Sequence, residues 1–181
     1  MWHPLGYLSP HTIALLLGAL VFLSIFWGML LGHIGQPLKT GEAPRGIVSF
    51  ELAFTAARSE AIVRSWDKVR KVAKNSLLLD FVFIPLYSTT LALLCIVAAH
   101  SFQRHNWSGL STVAVVIAWY QWVAGLLDMM ENCALLRLLT IKPPFRDTLP
   151  WLAGWCAFFK FLLIILALVC FLVAVACSLL V

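Results

Sequence analysis

Charge is scarce in this chain. Only 12% of its 181 residues are Asp, Glu, Lys or Arg, against 62% hydrophobic residues, and the mean hydropathy is +0.93. So little polar surface excludes a compact water-soluble domain and points to a bilayer. Paired cysteines are also missing. Cys95, Cys133, Cys156, Cys170 and Cys177 form no C-x-x-C pair and sit in apolar stretches, which excludes a disulfide framework or zinc site and leaves them as small packing residues. There is no internal repeat and no low-complexity tract. The opening "MWHPLGYLSPH" has no Lys or Arg, and the apolar run behind it is longer than the core of a cleavable signal peptide, so a retained span is expected there.

Four stretches are long enough to cross the hydrocarbon core as helices, at roughly 12–32, 77–99, 112–136 and 151–181. They fill the chain, so one integral membrane domain over 1–181 is expected. Lys and Arg set its orientation. Eight lie between the first two spans and three in the third connection, against the single Arg104 in the second connection. The positive-inside rule then puts both termini on the non-cytoplasmic side, in a membrane expected to be the bacterial inner membrane. The net charge of +5 becomes a basic fringe attracted to anionic lipid, with no call for a nucleic-acid partner.

"GQPLKTGEAPRG", at 35–46, carries two prolines and three glycines and reads as an irregular linker. After it, "IVSFELAFTAARSEAIVRSWDKVRKVAKNS" has neither residue type. It reads as one or two helices over about 47–75, amphipathic and cytoplasmic, with Trp66 as an interfacial anchor. Its first half is apolar on two sides, so it is expected to dock on the bundle with Glu51 and Arg58 turned toward protein. Asn75 or Ser76 suits an N-cap for the second span, which contains Pro85. On the first span, Ser24, Gly28, Gly32 and Gly35 share a stripe that would let another helix approach closely. The expected fold class is therefore all-α: a four-transmembrane-helix bundle with an added interfacial helix.

Within the third span, "GLLDMMEN" places Asp128, Glu131 and Asn132 among apolar residues. Ionisable groups inside a membrane cost roughly 2.5–3.5 kcal/mol on insertion scales and usually face protein or water. At 100° per residue, Gln121, Gly125, Asp128, Glu131 and Asn132 fall within an arc of about 120°. Asp80 and Tyr87 align on the second span, and Lys160 joins a stripe of small residues on the fourth. With the rise of about 1.5 Å per residue, Asp80, Asp128, Glu131, Asn132 and Lys160 all come within roughly 15 Å of the cytoplasmic surface. Glu51 and Arg58 approach from that side, and Gln121 and Tyr87 lie deeper. The expected site comprises all nine residues. Four carboxylates against two cations leave negative charge to compensate, by bound protons, by a divalent cation held on Asp128, Glu131 and Asp80, or by a cationic ligand or lipid head group.

Two lipid-enzyme patterns are absent. "DMMENCALLR", at 128–137, has neither the Gly nor the downstream acids of the CDP-alcohol phosphotransferase pattern D-x-x-D-G-x-x-A-R. It shares only composition, not spacing, with the small bacterial diacylglycerol kinases. The elements "FELA" (50–53), "LDF" (79–81) and L-D-x-x-E-N (127–132) do resemble those of small bacterial four-span integral membrane proteins. That resemblance covers most of 48–138 and implies the four-span architecture, but no activity and no functional residue.

Three functional readings stay open at this level. The first is a carboxylate-rich pocket in the cytoplasmic leaflet that binds a lipid head group or small amphiphile, with or without a metal ion. The second is an accessory subunit packed against other membrane subunits, its polar cluster a structural lock. The third is a small ion or proton transporter, disfavoured because the outer halves of the spans offer few polar groups.

Overall fold

A computed structural model describes residues 3–180. Every regular element among them is helical. A 3-10 turn at Pro4–Tyr7 precedes α1 (Pro10–Ile34), and a second, Gln36–Leu38, follows it. Then come α2 (Ile47–Glu51), α3 (Ala56–Ser65), α4 (Arg70–Arg104), α5 (Ser108–Thr140) and α6 (Thr148–Leu180). Helices α1, α4, α5 and α6 are each long and apolar enough to cross a membrane, and contain the four expected spans almost entirely. At 1.5 Å per residue the 35 residues of α4 reach about 52 Å, well beyond a hydrocarbon core of about 30 Å.

Local chemistry sets the boundaries. Ser9 Oγ accepts from the Thr12 backbone N–H at 3.1 Å, capping the start of α1. Pro10 occupies the first helical position, where the missing N–H costs nothing. Thr55 does the same for α3, its Oγ1 accepting from Arg58 N at 3.4 Å. Asn106, with φ +61°, supplies the left-handed residue that separates α4 from α5.

The segment read as one or two helices over about 47–75 forms two short helices, α2 and α3, and the start of α4. Phe54 has φ +59°, so the chain turns between α2 and α3, and its last residues already belong to α4. The second span therefore begins before the expected caps at Asn75 and Ser76: α4 starts at Arg70.

The chain divides into two compact units. The first comprises Met1–Ile25, Pro85–Gly125 and Lys160–Val181, the second Phe26–Ile84 and Leu126–Phe159. In the first unit, Ala98, Ala99, Phe102, Ala114 and Ala174 form a core of mostly small side chains, with Cys170 and Cys177 packed on it. Such residues let helix backbones come close, and hydroxyls then bridge them. Ser101 Oγ lies 2.7 Å from Ser178 Oγ, and Ser24 Oγ lies 3.0 Å from Thr90 Oγ1.

The second unit has the larger side chains. Leu38, Phe50, Ile62, Val63, Trp66, Leu77, Leu135, Leu138 and Phe145 are buried together. Trp66 is fully buried, the reverse of the surface anchor expected from its basic neighbours. Its indole Nε1 donates to the Leu38 carbonyl at 2.8 Å, and its ring meets Phe50 edge-on at 5.3 Å. This ties the 35–46 linker to α2 and the end of α3. Two carboxylates attach the loop before α6: Glu60 accepts from Phe145 N at 2.6 Å, and Asp147 from Ala56 N at 2.7 Å. The second bond puts negative charge on the first N–H of α3, where the helix dipole favours it.

Candidate functional site

The polar residues of α5 are buried as their spacing requires. Asp128 is 4% exposed, and Glu131 and Asn132 are completely enclosed. Asn132 Nδ2 donates to Asp80 Oδ2 at 2.7 Å, joining α5 to α4 within the second unit. Its Oδ1 is buried with no hydrogen-bond partner among the described residues. Glu51, at the end of α2, is also buried, at 6% exposure.

Asp80 and Glu51 meet a cavity of about 260 Å³ in the second unit. Its wall brings together Gly32 and Gly35 from the end of α1, Gln36, Lys39 and Arg45 from the linker, Glu51 from α2, and Ser76 and Asp80 from α4. The glycines help explain the space. A methyl group at position 32 would have no atom within 4 Å, and one at Gly28 would make only ordinary contact with the Phe83 ring. The small-residue stripe expected to bring a helix close thus borders a void over its last turn. Lys39 and Arg45 are exposed and form no ion pair among the described residues. The cavity therefore has two acids, two bases and two neutral polar groups around an otherwise apolar lining.

The nine expected site residues separate accordingly. Glu51 and Asp80 line the cavity, and Asn132 holds Asp80 from behind. Asp128 and Glu131 are buried in the same unit but do not line it. Arg58 is exposed on α3 and leaves the cluster: Thr55 caps α3 three residues earlier, and that register points Arg58 away from the core formed by Ser59, Ile62 and Val63. Gln121, Tyr87 and Lys160 belong to the first unit. Gln121 is fully buried, and its Nε2 donates to the Ile117 and Leu163 carbonyls at 3.2 and 3.0 Å, so it serves helix packing. Tyr87 is buried as well, and Lys160, 4% exposed, has its Nζ 5.0 Å from the Phe161 ring centre.

Among the described residues no group of three or more His, Cys, Asp or Glu side chains is placed to hold a metal ion. All five cysteines are free thiols.

Lys39, Arg45, Gln36 and Ser76 were not singled out by spacing arguments. Lys39 and Arg45 entered only a charge count, and only a linker folding back across α1 and α4 brings them beside Asp80. In comparisons with known proteins, no family model, no curated protein sequence and no solved structure matches this chain.

Proposed function

We propose that this protein is an integral membrane protein whose second unit binds the head group of a zwitterionic phospholipid. The observation that carries this reading is the lining of one cavity by Glu51 and Asp80 together with Lys39 and Arg45. A head group with a phosphate and an ammonium needs both signs of charge within a few ångströms. Arg and Lys suit the phosphate. A buried carboxylate and a second one steadied by Asn132 suit the ammonium. The apolar remainder of the lining and the open flank of Gly32 give the glycerol backbone a place to lie. No metal ion is needed, since the bases supply the positive charge.

Orientation follows from the basic residues. The second unit contains eleven of the thirteen Lys and Arg side chains, which supports a cytoplasmic placement of that unit, both termini outside, and an inner-membrane location. Head-group binding would then draw on the cytoplasmic leaflet.

The test is native mass spectrometry of the full chain in detergent, with phosphatidylethanolamine and phosphatidylglycerol added at equal concentration. Retention of phosphatidylethanolamine that falls in Asp80→Asn and Glu51→Gln supports the proposal. Equal retention of both lipids, unchanged by those substitutions, overturns it.

A second reading has its own observation. The 2.7 Å bond between Asn132 and Asp80 is the kind of interhelical contact that fixes helix register, and it suits an accessory subunit that packs against other membrane subunits. Under that reading the same substitutions lower stability without changing lipid retention.

A further inference from the structure

His3 is 2% exposed, although it stands before the first helix and its side chain is ionisable. The Trp119 and Trp122 rings both pack against its imidazole, with centroids at 4.7 and 5.0 Å. Its Nδ1 accepts a hydrogen bond from the Leu5 backbone N–H at 3.2 Å. An acceptor nitrogen carries no proton, so the neutral ring holds its proton on Nε2, which is then a donor. That Nε2 is buried and has no hydrogen-bond partner among the described residues. An orphaned donor at such depth is unfavourable and calls for an acceptor.

His3 also lines a cavity of about 330 Å³ in the first unit, together with Tyr7, His100, Gln103, Ser111 and Thr112. Among the described residues the lining includes no Asp, Glu, Lys or Arg. An ion of either sign would meet no full opposite charge there, whereas an uncharged oxygen would meet several hydrogen-bonding groups. The surrounding helices are long and apolar enough to span a membrane, so a molecule arriving from the bilayer would bring an acyl or prenyl tail.

We propose that this cavity binds an uncharged, tailed amphiphile through a carbonyl oxygen that accepts from His3 Nε2, with Gln103, Ser111 and Thr112 around its polar head. Two sources offer that chemistry: the ketone of a quinone and the ester of a glyceride. This site is separate in residues and in ligand charge from the head-group cavity, and stands or falls without it.

The experiment uses the full chain in detergent, titrated by calorimetry with a decyl-substituted benzoquinone and, separately, with a ten-carbon monoacylglycerol. Binding is compared in wild type, His3→Ala and His3→Gln, each first shown to have a cooperative thermal transition. Gln retains an N–H donor, so it separates loss of the donor from loss of packing. Saturable binding that falls about tenfold in His3→Ala and stays within about threefold in His3→Gln is the expected result. Response to the quinone alone or to the glyceride alone identifies the source, and response to both assigns the shared carbonyl. Two results overturn the proposal: no saturable binding of either probe, which makes the cavity a water pocket, or equal affinities in wild type and His3→Ala. Equal loss in His3→Ala and His3→Gln also overturns the donor role.

Discussion

Asn132 donates from Nδ2 to Asp80 Oδ2 at 2.7 Å, across 52 residues of sequence and from α5 to α4. Removing the donor takes this one hydrogen bond from the carboxylate. Asn132→Ala should therefore lower stability by about 1 kcal/mol, within the roughly 0.6–1.7 kcal/mol found for hydrogen bonds between membrane helices. Asp80→Asn retains an acceptor oxygen and should lose less. Thermal unfolding of the three proteins in one detergent measures this, and an unchanged midpoint for Asn132→Ala would show that the bond carries no net stability.

Gly154 is held to glycine by Phe54. A methyl group at 154 would stand 2.5 Å from Phe54 Cδ1 and 2.8 Å from two further ring carbons. Phe54 is itself pinned, with φ +59° and its ring edge-on to Trp155 at 5.8 Å. Gly154→Ala should cost about 1–3 kcal/mol by overpacking. Phe54→Leu alone should also destabilise, but the double variant should be more stable than the two single losses added together. Strict additivity would mean that the ring simply swings aside.

These two contacts show how far the sequence could be read. The helices of the four spans were legible because roughly twenty apolar residues in a row admit few other structures. The burial of Asp128, Glu131 and Asn132 followed from helical spacing together with the cost of exposing such groups to lipid. What the sequence concealed lies in the 35–69 segment. The positive-φ turn at Phe54 divides the part of it after the linker, which is free of proline and glycine, and non-glycine residues seldom adopt that conformation. Trp66 was misread for a related reason: its neighbours in sequence are basic, while its neighbours in space are Leu38 and Phe50. The cavity was hidden because a glycine stripe admits two outcomes, contact or void, and tertiary packing chooses between them.

Trp66 should be among the most sensitive positions of the second unit. Trp66→Ala empties a fully buried site and should cost about 3–5 kcal/mol. Trp66→Phe preserves an aromatic ring for Phe50 but leaves the Leu38 carbonyl without its donor, at about 1–3 kcal/mol. The expected order of unfolding midpoints is wild type, then Phe, then Ala. A midpoint for Trp66→Phe equal to that of wild type would mean that the 2.8 Å bond is replaced at no cost.

Acid should loosen the N-terminal segment. Burial against Trp119 and Trp122 holds the His3 pKa below its ordinary value of 6.5. The folded chain thus binds this proton less readily than the unfolded one. The stability contributed by neutral His3 is complete above pH 6.5 and is lost as the pH falls below that value toward the depressed folded pKa. The mechanism is local: with Nε2 already protonated, an added proton must go to Nδ1, which then no longer accepts from Leu5 N–H. Tyr7 and His100 are the other titratable groups lining the same cavity, with no carboxylate among the described lining residues to favour the cation. Hydrogen exchange of residues 5–8, corrected for the intrinsic effect of pH, should speed up between about pH 6.5 and 5 in wild type. In His3→Phe, which keeps an aromatic ring against the two tryptophans but cannot titrate, the corrected rates should stay level. Identical profiles in the two proteins would show that His3 does not govern this docking.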